Sequence, residues 1–249
     1  MNSRQGNSKD PKNPVYVQAV TRALSILTSF TGDDDYLSLA ELGRRTGLHK
    51  PTVLRLARTL AQSAFMVQRE DGAWRLGPRT GWIGSRYQAQ FDVNDCLEPI
   101  LQELSSATGE SASFFVYEDN VRICLLRSEG PQGIRGHVRS GELLPLERGS
   151  AGRVILAALG QSGDVYDKIR RDGYQATRGE YAAGAASVSA PVYGARGSVL
   201  GSVSISGPIK RLTFALLEKH APHVKRAAGQ ISYELATVTP ASLRSTWHP

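Results

Sequence analysis

Residues 49–63 read HKPTVLRLARTLAQS, and the fold of the first third of the chain turns on them. Val53, Leu56, Ala57 and Leu60 recur at helical spacing and so share one face. The opposite face carries Pro51, Arg55, Arg58 and Gln62, with Thr52 and Thr59 at its edges. Pro51 suits only the first turn of a helix, where a missing N–H costs nothing. The spacing predicts a short helix, apolar behind and cationic in front, able to enter a major groove and bond to phosphates and base edges. Alone, such a helix is more often just a solvated surface helix, so the flanking sequence has to decide.

Upstream, residues 37–48 read LSLAELGRRTGL. Ser38 and Glu41 stand at capping-box spacing, Leu39 and Leu42 supply an apolar face, and Gly47 suits a turn into the next helix. Downstream, FMVQREDGAWRL (65–76) places Asp71-Gly72 between two short apolar runs, a hairpin signal. Helix, turn, basic helix and hairpin in that order predict a winged helix-turn-helix. Thr52, Arg55, Arg58 and Thr59 would face DNA, Lys50 would meet a phosphate, and Arg69 and Arg75 would lie on the wing. Before this, Val17, Val20, Leu24, Leu27 and Phe30 predict a first helix packed under the reading helix. Asp33-Asp34-Asp35 reads as a solvated turn.

Charge follows the same division. Residues 1–90 hold 13 Lys and Arg against 7 Asp and Glu, whereas residues 91–249 hold 17 against 16. The net charge of +7 is therefore concentrated in the first third, the footprint of a domain that meets a polyanion. No stretch approaches the roughly 18 consecutive apolar residues of a membrane span, and the N-terminus lacks a signal-peptide core. Cys96 and Cys124 make no disulfide framework, which suits a reducing cytoplasm. No membrane partner is expected.

The expected organisation is a disordered arm at 1–14, a DNA-binding domain at 15–77, a helical linker at 78–91, a second domain at 92–238 and a tail at 239–249. The linker carries Trp82, Ile83, Tyr87 and Phe91, interrupted by two glycines; it pairs with another subunit or packs on its own domain. In the second domain a helix over Val93–Thr108 precedes strands at Ser111–Val116, Val121–Arg127 and Ile134–Val138. A small-residue helix over Ser150–Leu159, a polar helix over Val165–Asp172 and a loop over Gly173–Gly184 come next. Strands at Ala186–Tyr193 and Ser198–Ser206 lead to a closing helix over Arg211–Val238. Phe214, Leu217, Ala221, Val224, Ala228, Ile231 and Leu235 lie on its expected buried side. This order predicts an α+β domain whose sheet is mostly antiparallel, with helices to one side.

Three stretches of that domain do not read as plain core. Gly149-Ser150-Ala151-Gly152 opens a helix with small residues, exposing N–H groups that attract an anion, or forms a tight, close-packed start. In Ser202–Ser206, alternation sends Val203 and Ile205 to one face and three serines to the other, and Ser187-Val188-Ser189 repeats it. The serines line a polar ligand floor or face solvent, and the valines are the better surface for the closing helix. No catalytic set emerges. His49, His137, His220, His223 and His248 lack a metal-ligand frame, and no loop has a phosphate-binding pattern. No cofactor is called for. An enzyme acting on a small polar substrate through the second domain, with the first as a docking module, is the alternative; it needs a nucleophile or base with a partner.

The pieces VQAVTRALSILTSF (17–30), LSLAELGRRTGLHKPTVLRLARTL (37–60), DGAWRLGPR (71–79), HVRSGELLPLERGSAGRVILA (137–157), APVY (190–193) and SVSISGP (202–208) together resemble the IclR family of bacterial transcription regulators. DGY (172–174) and RGE (178–180) add to the match, which spans about residues 15–236. The resemblance implies a winged helix-turn-helix, a C-terminal GAF-like effector domain, and dimers or dimers of dimers on double-stranded operator DNA. RNA polymerase is a further candidate partner. Effectors would be small organic acids or aromatic compounds, with pocket positions mapping to Ser150, Ala151, Ser187, Ser204 and Ser206. Two departures stand out. Thr177-Arg178-Gly179-Glu180 replaces a loop that carries an acidic residue in some members, and Ser187 replaces a pocket cysteine of one subgroup. If Arg178 reached the pocket, it would favour an anion.

Overall fold

The computed structural model describes residues 16–32, 34–89, 96–131 and 138–238. The expected arm, the tail, Asp33, Phe91, the start of the helix expected from Val93, His137, His248 and all but Val138 of the strand expected at Ile134–Val138 lie outside those residues. The chain divides into two compact units between Ile83 and Gly84. Among the described residues no helix is long and apolar enough to cross a membrane.

The first unit begins with α1 (Gln18–Thr28), α2 (Leu39–Thr46) and α3 (Lys50–Gln62). The Ser38 hydroxyl accepts the Glu41 N–H at 3.1 Å, one half of the expected capping box. The Glu41 carboxylate takes Arg44 and Arg45 instead. Gly47, at φ +70°, ends α2 in the left-handed region that glycine enters without strain. Val53 and Ala57 of α3 are fully buried against Ile26, Leu42, Met66 and Trp74, with Leu56 and Leu60 packed around them. The antiparallel pair β1 (Met66–Gln68) and β2 (Trp74–Leu76) follows, and Leu37 bridges to Trp74 on its open side. Their turn is closed by Gly72 N–H to Arg69 O at 3.0 Å, with Gly72 at φ +82°.

The stripe expected to bury α1 is only partly buried. Ile26 is enclosed, with Leu27 and Phe30 packed beside it, but Val17, Val20 and Leu24 remain exposed, the last two at 55%. The three-helix core is small and takes one stripe of α1; the other apolar stripe is turned away from it. Asp34 is likewise more than a solvated turn. It accepts the Thr31 N–H and hydroxyl and two bonds from Arg45, which also donates to Ser29 O. Helix α4 (Pro78–Ala89) runs through Gly81 and Gly84 and carries the division between units.

The second unit contains α5 (Glu98–Thr108), β3 (Ser111–Glu118), β4 (Val121–Ser128), β5 (Leu143–Pro145), α6 (Gly149–Ala158) and α7 (Asp164–Asp172). It continues with β6 (Gln175–Arg178), β7 (Ala185–Tyr193), β8 (Val199–Pro208) and α8 (Phe214–Val238). Its strands form one antiparallel sheet in the order β5-β4-β3-β8-β7-β6. Phe114, Val188, Ala190, Val192, Val203 and Ile205 make the apolar face, buried under α5 and α8. At roughly 25 cal/mol per Å² of apolar surface removed from water, this layer is the main source of the unit's stability.

Three expectations change here. Helices do not lie to one side of the sheet: α6 covers the opposite, serine-bearing face, bonding to β7 and β6. The loop expected at Gly173–Gly184 contains strand β6, whose polar sequence QATR has no strand pattern of its own and takes its order from pairing with β7. Phe214 opens α8 at 53% exposure rather than facing the core, with the Arg178 guanidinium 5.6 Å from its ring centroid. The other six residues assigned to the buried side of the closing helix are buried.

Candidate functional site

The first candidate surface is the outer side of α3 and the wing. Lys50, Arg55, Arg58 and Thr59 are exposed and Thr52 is half-buried at the helix edge. Among the described residues, the side chains of Lys50, Arg55 and Arg58 have no ion-pair or hydrogen-bond partner. Arg44 and Arg45 on α2, by contrast, are tied to Glu41 and Asp34. The Thr59 hydroxyl donates to Arg55 O at 3.0 Å and keeps an acceptor lone pair free of that bond. On the wing, Arg75 donates to Leu76 O at 3.2 Å. Arg69 lies 4.3 Å over the Tyr36 ring and 3.5 Å from Asp71, so its head is steered by two neighbours. Tyr36 is a residue the sequence did not single out, because a single tyrosine after three acids gives no periodic signal.

The second candidate site is the sheet face under α6. Strand register lays out its hydroxyls in rows. Ser111, Ser206, Ser187 and Thr177 pair across β3, β8, β7 and β6; Ser113, Ser204 and Ser189 form the next row. Ser150, in the first turn of α6, reaches both rows, its Oγ 2.7 Å from the hydroxyls of Ser187 and of Ser189. Ser150, Ser187, Ser204 and Ser206 are thus on one face, and Ala151 follows Ser150 into the same buried helix start. The helix mouth is not an open anion cradle: the Ser150 N–H donates to Thr177 Oγ1 at 3.1 Å, and Gly149, Ser150, Ala151 and Gly152 are all buried. Gly152 has no room for a side chain, since a Cβ would lie 2.0 Å from Leu146 O. Nor does Arg178 reach this face. It donates to Leu212 O and Ile209 O on the far side of the edge strand.

Beyond the hydroxyl rows the face becomes aromatic and cationic. Phe115, Cys124, Leu144 and Ala151 form a buried cluster joined by Tyr181. Burial pushes the Cys124 thiol up to about 12, so it is inert at neutral pH. Two guanidinium groups stand here. Arg127 pairs with Glu129 at 2.7 Å and donates to the hydroxyls of Ser113 and Ser206 at 3.1 and 3.4 Å. Arg122, 3% exposed, lies 5.5 Å from the Phe115 centroid and 5.6 Å from that of Tyr181. Its Nη1 donates to the carbonyls of Pro145 and Arg148, and burial lowers its pKa to about 10, where it is still charged at neutral pH. Arg122, Arg127, Phe115, Thr177 and Tyr181 went unassigned in the sequence, because a cation in a run such as VRICLLR reads as facing water.

Residues 19–70 match the IclR helix-turn-helix domain, and residues 85–165 and 163–233 match the bacterial transcriptional regulator IclR C-terminal domain. The chain belongs to the IclR family. It is a DNA-binding transcriptional regulator, oligomeric and responsive to a small-molecule effector, and the enzyme alternative is set aside. The Escherichia coli K12 transcriptional repressor IclR is 25% identical over 244 residues, covering 87% of this chain and 89% of the relative. The Bacillus subtilis regulator KipR is 25% identical over 243 residues, covering 88% and 97%. Among solved structures, an IclR homologue from Microbacterium hydrocarbonoxydans complexed with 4-hydroxybenzoate superposes with a TM-score of 0.73 at 20% identity, over 88% of this chain and 99% of that one. Thermotoga maritima IclR gives 0.68 at 20% identity, over 89% and 100%. Within the IclR architecture, the basic surface of α3 belongs to the helix-turn-helix match and the hydroxyl-lined face to the C-terminal match.

Proposed function

We propose that this IclR-family regulator reads its operator with α3 and the wing and binds its effector, a small organic or aromatic acid, on the hydroxyl-lined face beneath α6. Thr52, Arg55, Arg58 and Thr59 contact base edges and nearby phosphates, Lys50 contacts a phosphate at the start of the helix, and Arg69 and Arg75 hold the wing to the backbone. Ser150, Ala151, Ser187, Ser204 and Ser206 contact the effector. The observation that carries the DNA half is the exposed, unpaired state of Lys50, Arg55 and Arg58 on a helix whose other face is buried. Three cations left without carboxylates on one ridge suit a partner that brings its own negative charge. The effector half is supported by the hydroxyl rows, buried but for the half-buried Ser187 and Ser206, and by the 4-hydroxybenzoate held by the Microbacterium homologue. Binding at the operator sets the access of RNA polymerase to adjoining genes in the cytoplasm. Dimers, or dimers of dimers, present paired α3 helices to repeated half-sites.

The test is a titration of operator DNA, selected from random duplexes, across a salt series. Log affinity falls linearly with log salt, and Lys50→Gln lowers the slope by about 0.9 while weakening all sequences alike. Arg55→Gln and Arg58→Gln each cost about 1–3 kcal/mol and relax specificity at a base position. A flat salt response overturns the phosphate contacts.

A further inference from the structure

We propose that Arg122 is the acid-reading residue of this regulator's effector site and that the ligand is a small carboxylic acid with a flat ring. The inference rests on the assignment of the α6-facing side of the sheet as that site. A buried polar atom without a partner costs about 1–3 kcal/mol, more when charged, so each one calls for a reason. Two such atoms flank Phe115: Ser202 Oγ, on the β8 residue paired with Phe115, and Arg122 Nε. Both side chains belong to residues at least nine-tenths buried.

The free part of Arg122 has a definite shape. Nη1 is spent on Pro145 O and Arg148 O, while Nε and Nη2 donate to no described residue. Nε and Nη2 form one edge of the planar guanidinium, with two parallel N–H groups spaced to meet the two oxygens of a carboxylate. The other buried cation of this face is already neutralised, since Arg127 pairs with Glu129. Arg122 has no ion-pair partner among the described residues. Glu142 and Glu147 act on Arg122 electrostatically without pairing with it, and the Glu142 carboxylate is held by the Tyr181 hydroxyl at 3.1 Å and by the Arg139 N–H at 2.9 Å. The helix mouth is occupied by Thr177 and Arg178 is on the far side, so the charge that can answer an acid here is that of Arg122. Phe115 and Tyr181 beside it offer ring faces to a flat ligand, and Ser202 offers a hydroxyl.

The experiment is calorimetric titration of the full chain with 4-hydroxybenzoate and with its neutral analogue 4-hydroxybenzamide. The wild-type chain prefers the acid by about tenfold or more. In Arg122→Met the preference falls to near one while amide affinity stays within about threefold, a pattern that a structural defect, which weakens both ligands, does not give. Arg122→Lys keeps the charge but loses the fork and cuts the preference roughly severalfold; it decides the matter if the methionine variant does not fold. Ser204→Val serves as the control for the site itself. If it abolishes acid binding while Arg122→Met and Arg122→Lys keep the full preference, the effector site stands and Arg122 is removed from it. If the wild-type chain binds neither compound, the flat-ring acid proposed here falls while the effector site stands; if it binds the acid with an affinity indifferent to all three changes, both assignments fall.

Discussion

The side chain with the sharpest consequence for stability is Ser202. Its residue is fully buried and its hydroxyl has no hydrogen-bond partner among the described residues. Removing an unsatisfied hydroxyl relieves a desolvation cost, so Ser202→Ala raises the thermal unfolding midpoint of the ligand-free protein, by about 1 kcal/mol in stability. The same change weakens acid binding. A lower midpoint without ligand shows that the hydroxyl is satisfied in solution and adds nothing in reserve. The orientation of Ser202, Ser204 and Ser206 was legible in the alternation with Val203 and Ile205, because a strand has a period of two. Arg122 was not, because its burial depends on β5 and the approach to α6, which come together with β4 only in three dimensions. The reading residues of α3 were legible because a helix that buries Val53 and Ala57 has no choice about which side Arg55 and Arg58 occupy.

Between residues and domains, the clamp that joins α1 to α2 behaves as a unit. Arg45 links Asp34, Glu41 and Ser29 O; bonds from Arg44 and then Arg45 hold the Glu41 carboxyl at about 2, and those from Arg45 and Thr31 hold that of Asp34 lower still. Both carboxyls bind protons less readily folded than unfolded. Their contribution is therefore complete above the ordinary carboxylate range, about pH 5, and is lost as pH falls through the folded-state values. Acid unfolding of the first unit, followed by Trp74 fluorescence, steepens below about pH 4, and Arg45→Met flattens that dependence; an identical profile in the variant removes the clamp from the acid transition. Capped helices and hairpins announced themselves through periodicity and turn residues. Strand β6 did not, since Gln175-Ala176-Thr177-Arg178 is ordered by the neighbour it pairs with and not by its own composition. The stripe of α1 misled because apolar spacing marks a surface to be covered without saying by what.

For the whole molecule, that uncovered stripe and the exposed aromatic of α4 bear on assembly. Val17, Val20 and Leu24, with Trp82 at 53% and Ile83 at 46% exposure, are large apolar side chains of the first unit left in water. Surfaces of that kind mark self-association when they lie on a chain of an oligomeric family. Val20→Glu combined with Trp82→Glu lowers the mass measured by sedimentation equilibrium and brings affinity for a two-half-site operator down toward that for a single half-site. An unchanged mass places the subunit interface elsewhere. Salt dependence should survive in the dissociated chain at a reduced slope, since the cations of α3 remain while their number per complex halves.

The attachment of α6 to the sheet has an implication of its own. Helix α8 is fixed by oil, and loosening it would expose hydrocarbon to water. The first turn of α6 is moored by alcohols, Ser150 to Ser187 and Ser189, and an alcohol gives and receives with the same atom. A guest bearing oxygens can take over such moorings one for one and leave no donor stranded, so this end of the helix can trade its anchorage for a ligand at little net expense of enthalpy.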